Sequence, residues 1–288
     1  MSKEKGANAI LLLSCPDQKG LVYNISSFIY RHNGNIVHAA QHTSMTRKIF
    51  FMRIEWELNG FVIPREEIGL VFKHVAGQFR MNWELHFTDT IPRLAIFVSR
   101  HPHCLYDLLL RRRMGEFQAE IPLVISNHPD LQPLVEQFGI KFLYFPITPE
   151  NKAAQEEEEL EEIRRHDIDL IVLARYMQVL TSRFVSEYPN KIINIHHSFL
   201  PAFAGPKPYQ QAYDRGVKII GATSHYVTEQ LDDGPIIAQD VIKITHRDSM
   251  DDIKLKSRDL ERMVLAKAVR LHLENRILPY GSKTVVFE

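Results

Sequence analysis

Cysteine is almost missing from this chain: Cys15 and Cys104 are the only two in 288 residues, far apart and without metal-ligand spacing. That excludes a disulfide framework and a cysteine-built metal centre, and it points to a reduced compartment with two buried or idle thiols. Net charge is missing too, since 35 Lys and Arg face 35 Asp and Glu. No global field therefore draws the chain to nucleic acid or to an anionic membrane surface. No apolar run comes near the roughly 18 residues of a membrane span. The start, Met1 to Gly6, carries charges with no apolar stretch behind them of the kind a leader needs. The expectation is a soluble cytoplasmic protein with no nucleic-acid or membrane partner.

What is present suffices for two cores: 45% of the residues are hydrophobic, and 288 residues suit two domains. Ala9 to Ser14 predicts a buried strand that stops at turn residues Cys15 to Gly20. Leu21, Val22, Ile25, Phe28 and Ile29 recur at helical spacing, and the helix should end near His32 to Asn35. Ile36–Thr43 and Lys48–Leu58 predict two strands joined at Ser44 to Arg47. Pro64 then opens a second helix, and Met81–Phe87 predicts a last strand. The order β-α-β-β-α-β is the ferredoxin-like one.

Beyond the linker Thr88–Pro92 the pattern changes to alternating strands and helices. Strands are expected at 94–98, 121–126, 141–145 and 169–174, and helices at 104–113, 131–138 and 155–165. Such alternation predicts an open, mostly parallel α/β sheet. Within 155–165 the run Glu156 to Glu159 reads as one exposed turn, with Leu160 and Ile163 facing inward. Residues 236–244 predict a strand, 249–275 a long amphipathic helix and 285–287 a terminal strand.

Two segments carry chemistry. In Lys191–Pro201, Asn194 and His196 stand two apart where an apolar strand ends, so both side chains point the same way at the sheet edge where parallel α/β folds bind ligands. Alone, the pair reads more simply as two polar residues satisfying loop backbone. The second segment, Gly221–Ile237, adds Thr223, His225 and the pair Asp232-Asp233 closed by Gly234-Pro235. Together they supply an acyl-group site: Asn194 to donate to a carbonyl oxygen, His196 to donate or shuttle a proton, and Asp232 to accept a proton or orient water. Thr223 and His225 are candidates to hold Asp232 or the water, and His225 reads as well as a buried histidine bonded to backbone. Asp233, as the neighbour in an extended segment, should face solvent. His101, His103, His196 and His197 lack the clustering of a zinc site.

The sequence N-I-H with S-x-L-P, followed by H-x-V-T-x-x-L-D-x-G-P-I-I at 36 residues from His196 to Asp232 (232 minus 196), closely resembles the folate-dependent formyltransferases. That resemblance covers 93–288 and implies an open formyltransferase-type α/β domain with Asn194, His196 and Asp232 catalytic and His197 supporting. It also implies that Met177, Gln178, Val179 and Leu180 line the folate pocket. No cofactor or metal is implied, 10-formyltetrahydrofolate being a substrate. Relatives that formylate a glycinamide ribonucleotide place a glycine-rich phosphate cradle where this chain has Ser99–Leu105, which holds no glycine and holds Pro102. Water then becomes the expected acceptor, and hydrolysis to tetrahydrofolate and formate the expected reaction. The alternatives are phosphoribosylglycinamide formyltransferase and a non-catalytic amino-acid sensor. Residues 7–88, with Asp17-x-x-Gly20-Leu21-Val22 opening a helix, resemble an ACT domain. That resemblance implies a small amino-acid effector, glycine or methionine, near Asp17, Gly20 and Leu21, and a homo-oligomer formed through these domains. On the residues alone, Asp17 should cap the helix and Gly20 should permit the turn.

Overall fold

The computed structural model describes residues 6–202 and 208–288, so residues 1–5, on which the reading of the chain's start rests, lie outside the described residues. The chain forms two compact units. One takes the residues through Ile91 with Glu274–Leu278 and Val285–Glu288; the other takes Pro92–Leu273 and Pro279–Thr284. No described helix is long and apolar enough to cross a membrane.

The first unit runs β1 (Asn8–Pro16), α1 (Leu21–Arg31), β2 (Ile36–Ser44), β3 (Ile49–Glu57), α2 (Ile68–Phe79) and β4 (Asn82–Phe87). Its antiparallel sheet has the order β2-β3-β1-β4. The apolar run of β1 lies between two partners, Leu13 facing Met52 on one side and Trp83 on the other. Leu11, Leu13 and Cys15 pack on Ile25, Phe28 and Ile29 of α1 and on Phe72 and Ala76 of α2. Burying such side chains contributes about 1.5 to 3 kcal/mol each and holds both helices on one face. Asp17 does not cap α1. The capping position is Gly20, at φ +89°, with no side-chain hydrogen bond. A cap must come from that position itself, and Asp17 lies upstream, its N–H bonded to Lys48 O at 2.8 Å. On β3, buried Arg53 donates to Asn275 O at 2.9 Å and Glu274 O at 3.2 Å. These bonds tie Glu274–Leu278 to this unit, where the sequence pattern had assigned everything after residue 93 to the other.

The second unit runs β5 (Arg93–Val98), α3 (His103–Arg113), β6 (Glu120–Ser126), α4 (Gln132–Glu136), β7 (Lys141–Tyr144), α5 (Lys152–Arg165), β8 (Leu170–Leu173), α6 (Ser182–Glu187), β9 (Ile192–His196), α7 (Pro208–Asp214), β10 (Ile219–Tyr226), β11 (Ile236–Lys243) and α8 (Met250–Leu273). Strands β12 (Ile277–Tyr280) and β13 (Lys283–Val286) form a separate two-stranded sheet. The large sheet has the order β11-β10-β9-β8-β5-β6-β7. It is parallel from β7 to β9, and β10 and β11 complete it antiparallel. All four residues of β8 are buried, as a strand covered on both faces requires. Helix α6 falls where the apolar pattern assigns nothing; it starts because the Thr181 side chain accepts from Phe184 N at its N-cap.

Helix α5 corrects the expectation for the glutamate run. Glu157 and Glu158 are exposed, but Glu156 and Glu159 are 3% and 0% exposed. The helical period places both on the inward stripe with Leu160 and Ile163. Each is tolerated because it has a hydroxyl partner: the Tyr176 hydroxyl donates to Glu159 at 3.2 Å, and the Thr181 hydroxyl donates to Glu156. Burial nonetheless pushes the Glu159 carboxyl from its ordinary 4.5 up to about 8. The folded state therefore binds a proton that the unfolded state has released between those values, and stability declines as pH rises through that window. Glu159→Gln lacks this titration. Urea unfolding should show wild type losing roughly 2 to 4 kcal/mol relative to Glu159→Gln between about pH 5 and about pH 9; parallel pH profiles would refute the buried protonated carboxyl.

Candidate active site

Three neighbouring strands bring the sequence-predicted residues together. Asn194 and His196 lie at the C-terminal end of β9, and the antiparallel register sets His225 of β10 opposite Asn194 and Thr223 opposite His196. Asn194 Nδ2 is 3.2 Å from His225 Nε2, and His225 Nδ1 is 2.9 Å from Tyr226 O. A carbonyl only accepts, so Nδ1 carries the proton of the neutral ring and Nε2 accepts from Asn194. Both readings of His225 therefore hold: it is bonded to backbone and it belongs to the site.

Asp232 enters from the loop after β10. Its Oδ2 is 3.2 Å from His196 Nδ1 and its Oδ1 is 3.7 Å from His225 Nε2. Asp232 sits at φ +56°, a left-handed conformation that aspartate tolerates better than most residues and that is typical of constrained functional positions. Gly234 fixes the return of the loop, because a Cβ there would lie 1.7 Å from Tyr226 O. Asp233 is exposed, as expected, but through this turn and not through strand alternation. Burial works to raise the Asp232 carboxyl, yet the hydrogen bond from His196 outweighs it and holds the group well below the usual aspartate range. His196 thus gives its Nδ1 proton to the carboxylate, and its Nε2 has no hydrogen-bond partner.

These residues border a cavity of about 470 Å³. Met177, Gln178, Val179 and Leu180 form one of its walls, and His197 lies beside His196. Met177 and Val179 are half-exposed at the rim, while Leu180 is buried. The wall is pinned from behind: Lys152 Nζ donates to Val179 O, Glu156 accepts from Thr181 N at 3.1 Å, and Ser99 Oγ accepts from Met177 N at 2.9 Å. Thr223 is not part of this wall and does not hold Asp232. Its hydroxyl donates to Ser198 O at 2.8 Å and accepts from Leu200 N at 3.0 Å and Gln239 Nε2 at 2.9 Å, so it shapes the turn after β9.

A second polar group, centred on a residue absent from the sequence reading, lies behind Arg175 of the cavity lining. Glu261 of α8 is 1% exposed and accepts from His103 Nε2 at 2.8 Å and from the Tyr209 hydroxyl; Arg175 Nη1 lies 3.5 Å away. Burial would raise the Glu261 carboxyl, but His103 and Arg175 hold it well below its usual range. Burial, with the charge of Arg175, lowers His197 to about 4, leaving it neutral near pH 7. A glutamate on the same helical stripe as Leu260 and Val264 was the available signal. His103, Cys104 and Glu261 together have a metal-binding donor set. Their chemistry does not suit a cation: burial raises the Cys104 thiol well above its ordinary value, and Arg175 already supplies the charge facing Glu261. Asp17, Gly20 and Leu21 lie in the first unit, at the start of α1.

The Formyl transferase family matches residues 92–269. The chain is 57% identical over 279 residues to formyltetrahydrofolate deformylase of Synechocystis sp., covering 97% of this chain and 98% of that protein. It is 48% identical to formyltetrahydrofolate deformylase of Bacillus subtilis, covering 96% of this chain and 93% of that one. The crystal structure of a formyltetrahydrofolate deformylase from Pseudomonas syringae superposes with a TM-score of 0.97 at 42% identity, over 100% of this chain and 96% of that chain. Likeness at this level runs through both compact units and not only the formyl transferase segment, and on that ground the chain belongs to the formyltetrahydrofolate deformylase family.

Proposed function

We propose that this protein hydrolyses 10-formyltetrahydrofolate to tetrahydrofolate and formate, a hydrolysis of a linear-amide C–N bond that supplies formate for purine synthesis and balances the one-carbon folate pools. The observation that carries this reading is the His196–Asp232 contact, with Asn194 beside it, on a cavity of about 470 Å³. That volume is in the range of small-molecule sites. The folate ring lies against Met177 to Leu180, and the N10-formyl group reaches Asn194 and His196. As water attacks, Asn194 Nδ2 donates to the carbonyl oxygen while charge builds on it, and His196, as the imidazolium whose Nδ1–H is held by Asp232, donates from Nε2; one such donor typically lowers the barrier by about 3 to 4 kcal/mol. Asp232 accepts from Nδ1–H of His196 and so turns Nε2 toward substrate, and its Oδ1 edge receives the attacking water. Collapse breaks the C–N10 bond: N10 takes one hydrogen of the water, and the other leaves as formic acid ionises. The step as proposed uses protein groups and substrate only.

Water is favoured as acceptor by what stands at the start of α3. Glu261 lies against His103 in the first turn of that helix, so the protein's own carboxylate occupies the ground a phosphate would seek. A phosphorylated acceptor would meet a buried negative charge there. Purified protein given 10-formyltetrahydrofolate and no other acceptor should release formate in equal amount to tetrahydrofolate. Release only after a glycinamide ribonucleotide is added would favour transfer instead. In the same assay Asp232→Asn should lower kcat by about a hundredfold or more with little change in KM, as loss of a group acting in the transition state does; near-wild-type turnover would remove Asp232 from the mechanism.

The proposal extends to the first unit as an ACT-like regulatory module that binds glycine or methionine near Asp17, Gly20 and Leu21 and pairs with another copy. Support comes from the left-handed Gly20 opening α1 and from the edge strand β2, where Ile36 and Val37 are exposed. Coupling of about 1 to 3 kcal/mol would change folate affinity about 5- to 150-fold, with reciprocal effect on the amino acid. Calorimetric titration of glycine and methionine with and without a folate analogue should show it; no binding of either, together with a monomer in sedimentation, would leave the unit without that role.

A further inference from the structure

Arg175 follows the buried end of β8 and is hard to explain as packing. Its backbone is at φ +64°, a conformation suited to glycine, so a large charged residue is held there against local preference. The side chain is 10% exposed and borders the same cavity as Asn194, His196 and His197. Its Nη1 is 3.5 Å from Glu261 Oε2, but neither Nη1 nor Nε makes a hydrogen bond. A buried guanidinium with two unpaired donors is costly unless an acceptor completes it. Glu261 faces it as a counter-charge without hydrogen-bonding it, its oxygens accepting from His103 and the Tyr209 hydroxyl. A small, planar, two-oxygen anion entering the cavity beside Arg175 has the geometry that a guanidinium fork binds best.

We propose that Arg175 is the carboxylate-binding site of the product side, receiving formate after it forms at Asn194 and His196. Its identification as formate rests on the hydrolytic reading above, whereas the anion site itself rests on a cavity-lining guanidinium whose Nε and Nη1 make no hydrogen bond. Of the residues lining the cavity, Asp232 and Glu229 present like charge to a departing anion and Arg175 is the guanidinium that offsets them. The arrangement predicts that formate is a product inhibitor acting through Arg175.

The test uses ¹³C-formate as the probe on the full-length protein, with binding followed by formate line broadening and inhibition followed in the deformylation assay. Arg175→Gly suits the left-handed backbone and removes the cation; Arg175→Lys keeps the charge without the fork, and thermal unfolding monitors the fold of both. Formate affinity and product inhibition should each weaken at least tenfold in Arg175→Gly and less in Arg175→Lys. Equal formate binding by wild type and Arg175→Gly, or none by wild type at millimolar formate, would overturn the assignment. Formate bound through Arg175 in a protein that does not turn over would sink the hydrolytic reading and keep the anion site; turnover with formate binding indifferent to residue 175 would do the reverse.

Discussion

His196 on β9 and Asp232 on the loop after β10 meet at 3.2 Å, and much of the surrounding structure serves that meeting. The antiparallel pairing of β10 with β9 sets the two segments side by side, and His225 opposite Asn194 fills the space between strand and loop. Gly234 lets the loop pass against Tyr226 O where no side chain fits, and the left-handed turn at Asp232 aims its carboxylate back at the strand. The pair fixes which nitrogen of His196 points at substrate. It also keeps Asp232 charged, because an ionised carboxylate in a half-buried site needs the His196 donor that faces it.

The buried acids of this unit follow one rule with different outcomes. Glu261 stays ionised because His103 and Arg175 face it. Glu159 has only a hydroxyl partner, so desolvation prevails and its proton is retained to about pH 8. Glu156 accepts from Thr181 and thereby steadies the wall that carries Met177 to Leu180. Partner type, more than depth of burial, separates these cases.

Most strands were legible because an apolar run such as Leu170 to Leu173 has few other places to go. Asn194 and His196 were legible as a pair because strand alternation is strictly local, and the second motif marked Asp232. What escaped depended on partners distant in sequence. Glu156 and Glu159 looked like a solvated run until Thr181 and Tyr176 were placed against them. Thr223 looked like a neighbour of Asp232, but its hydroxyl is taken by Ser198 and Leu200. Asp17 looked like a cap, but the helix begins later, at Gly20. Glu261 and Arg175 are brought together only by the packing of α8 against the sheet.

The central claim is that Asp232 is a carboxylate held by His196, and the most direct measurement is a carboxyl ¹³C titration of aspartate-labelled protein, with Asp232→Asn used to assign the resonance. The account predicts a signal that remains that of a carboxylate at pH values well below the ordinary aspartate pKa of about 3.9, and that moves toward that ordinary value when His196 is replaced by Ala. A resonance titrating at or above the ordinary value in the wild type, or one indifferent to His196, would contradict it.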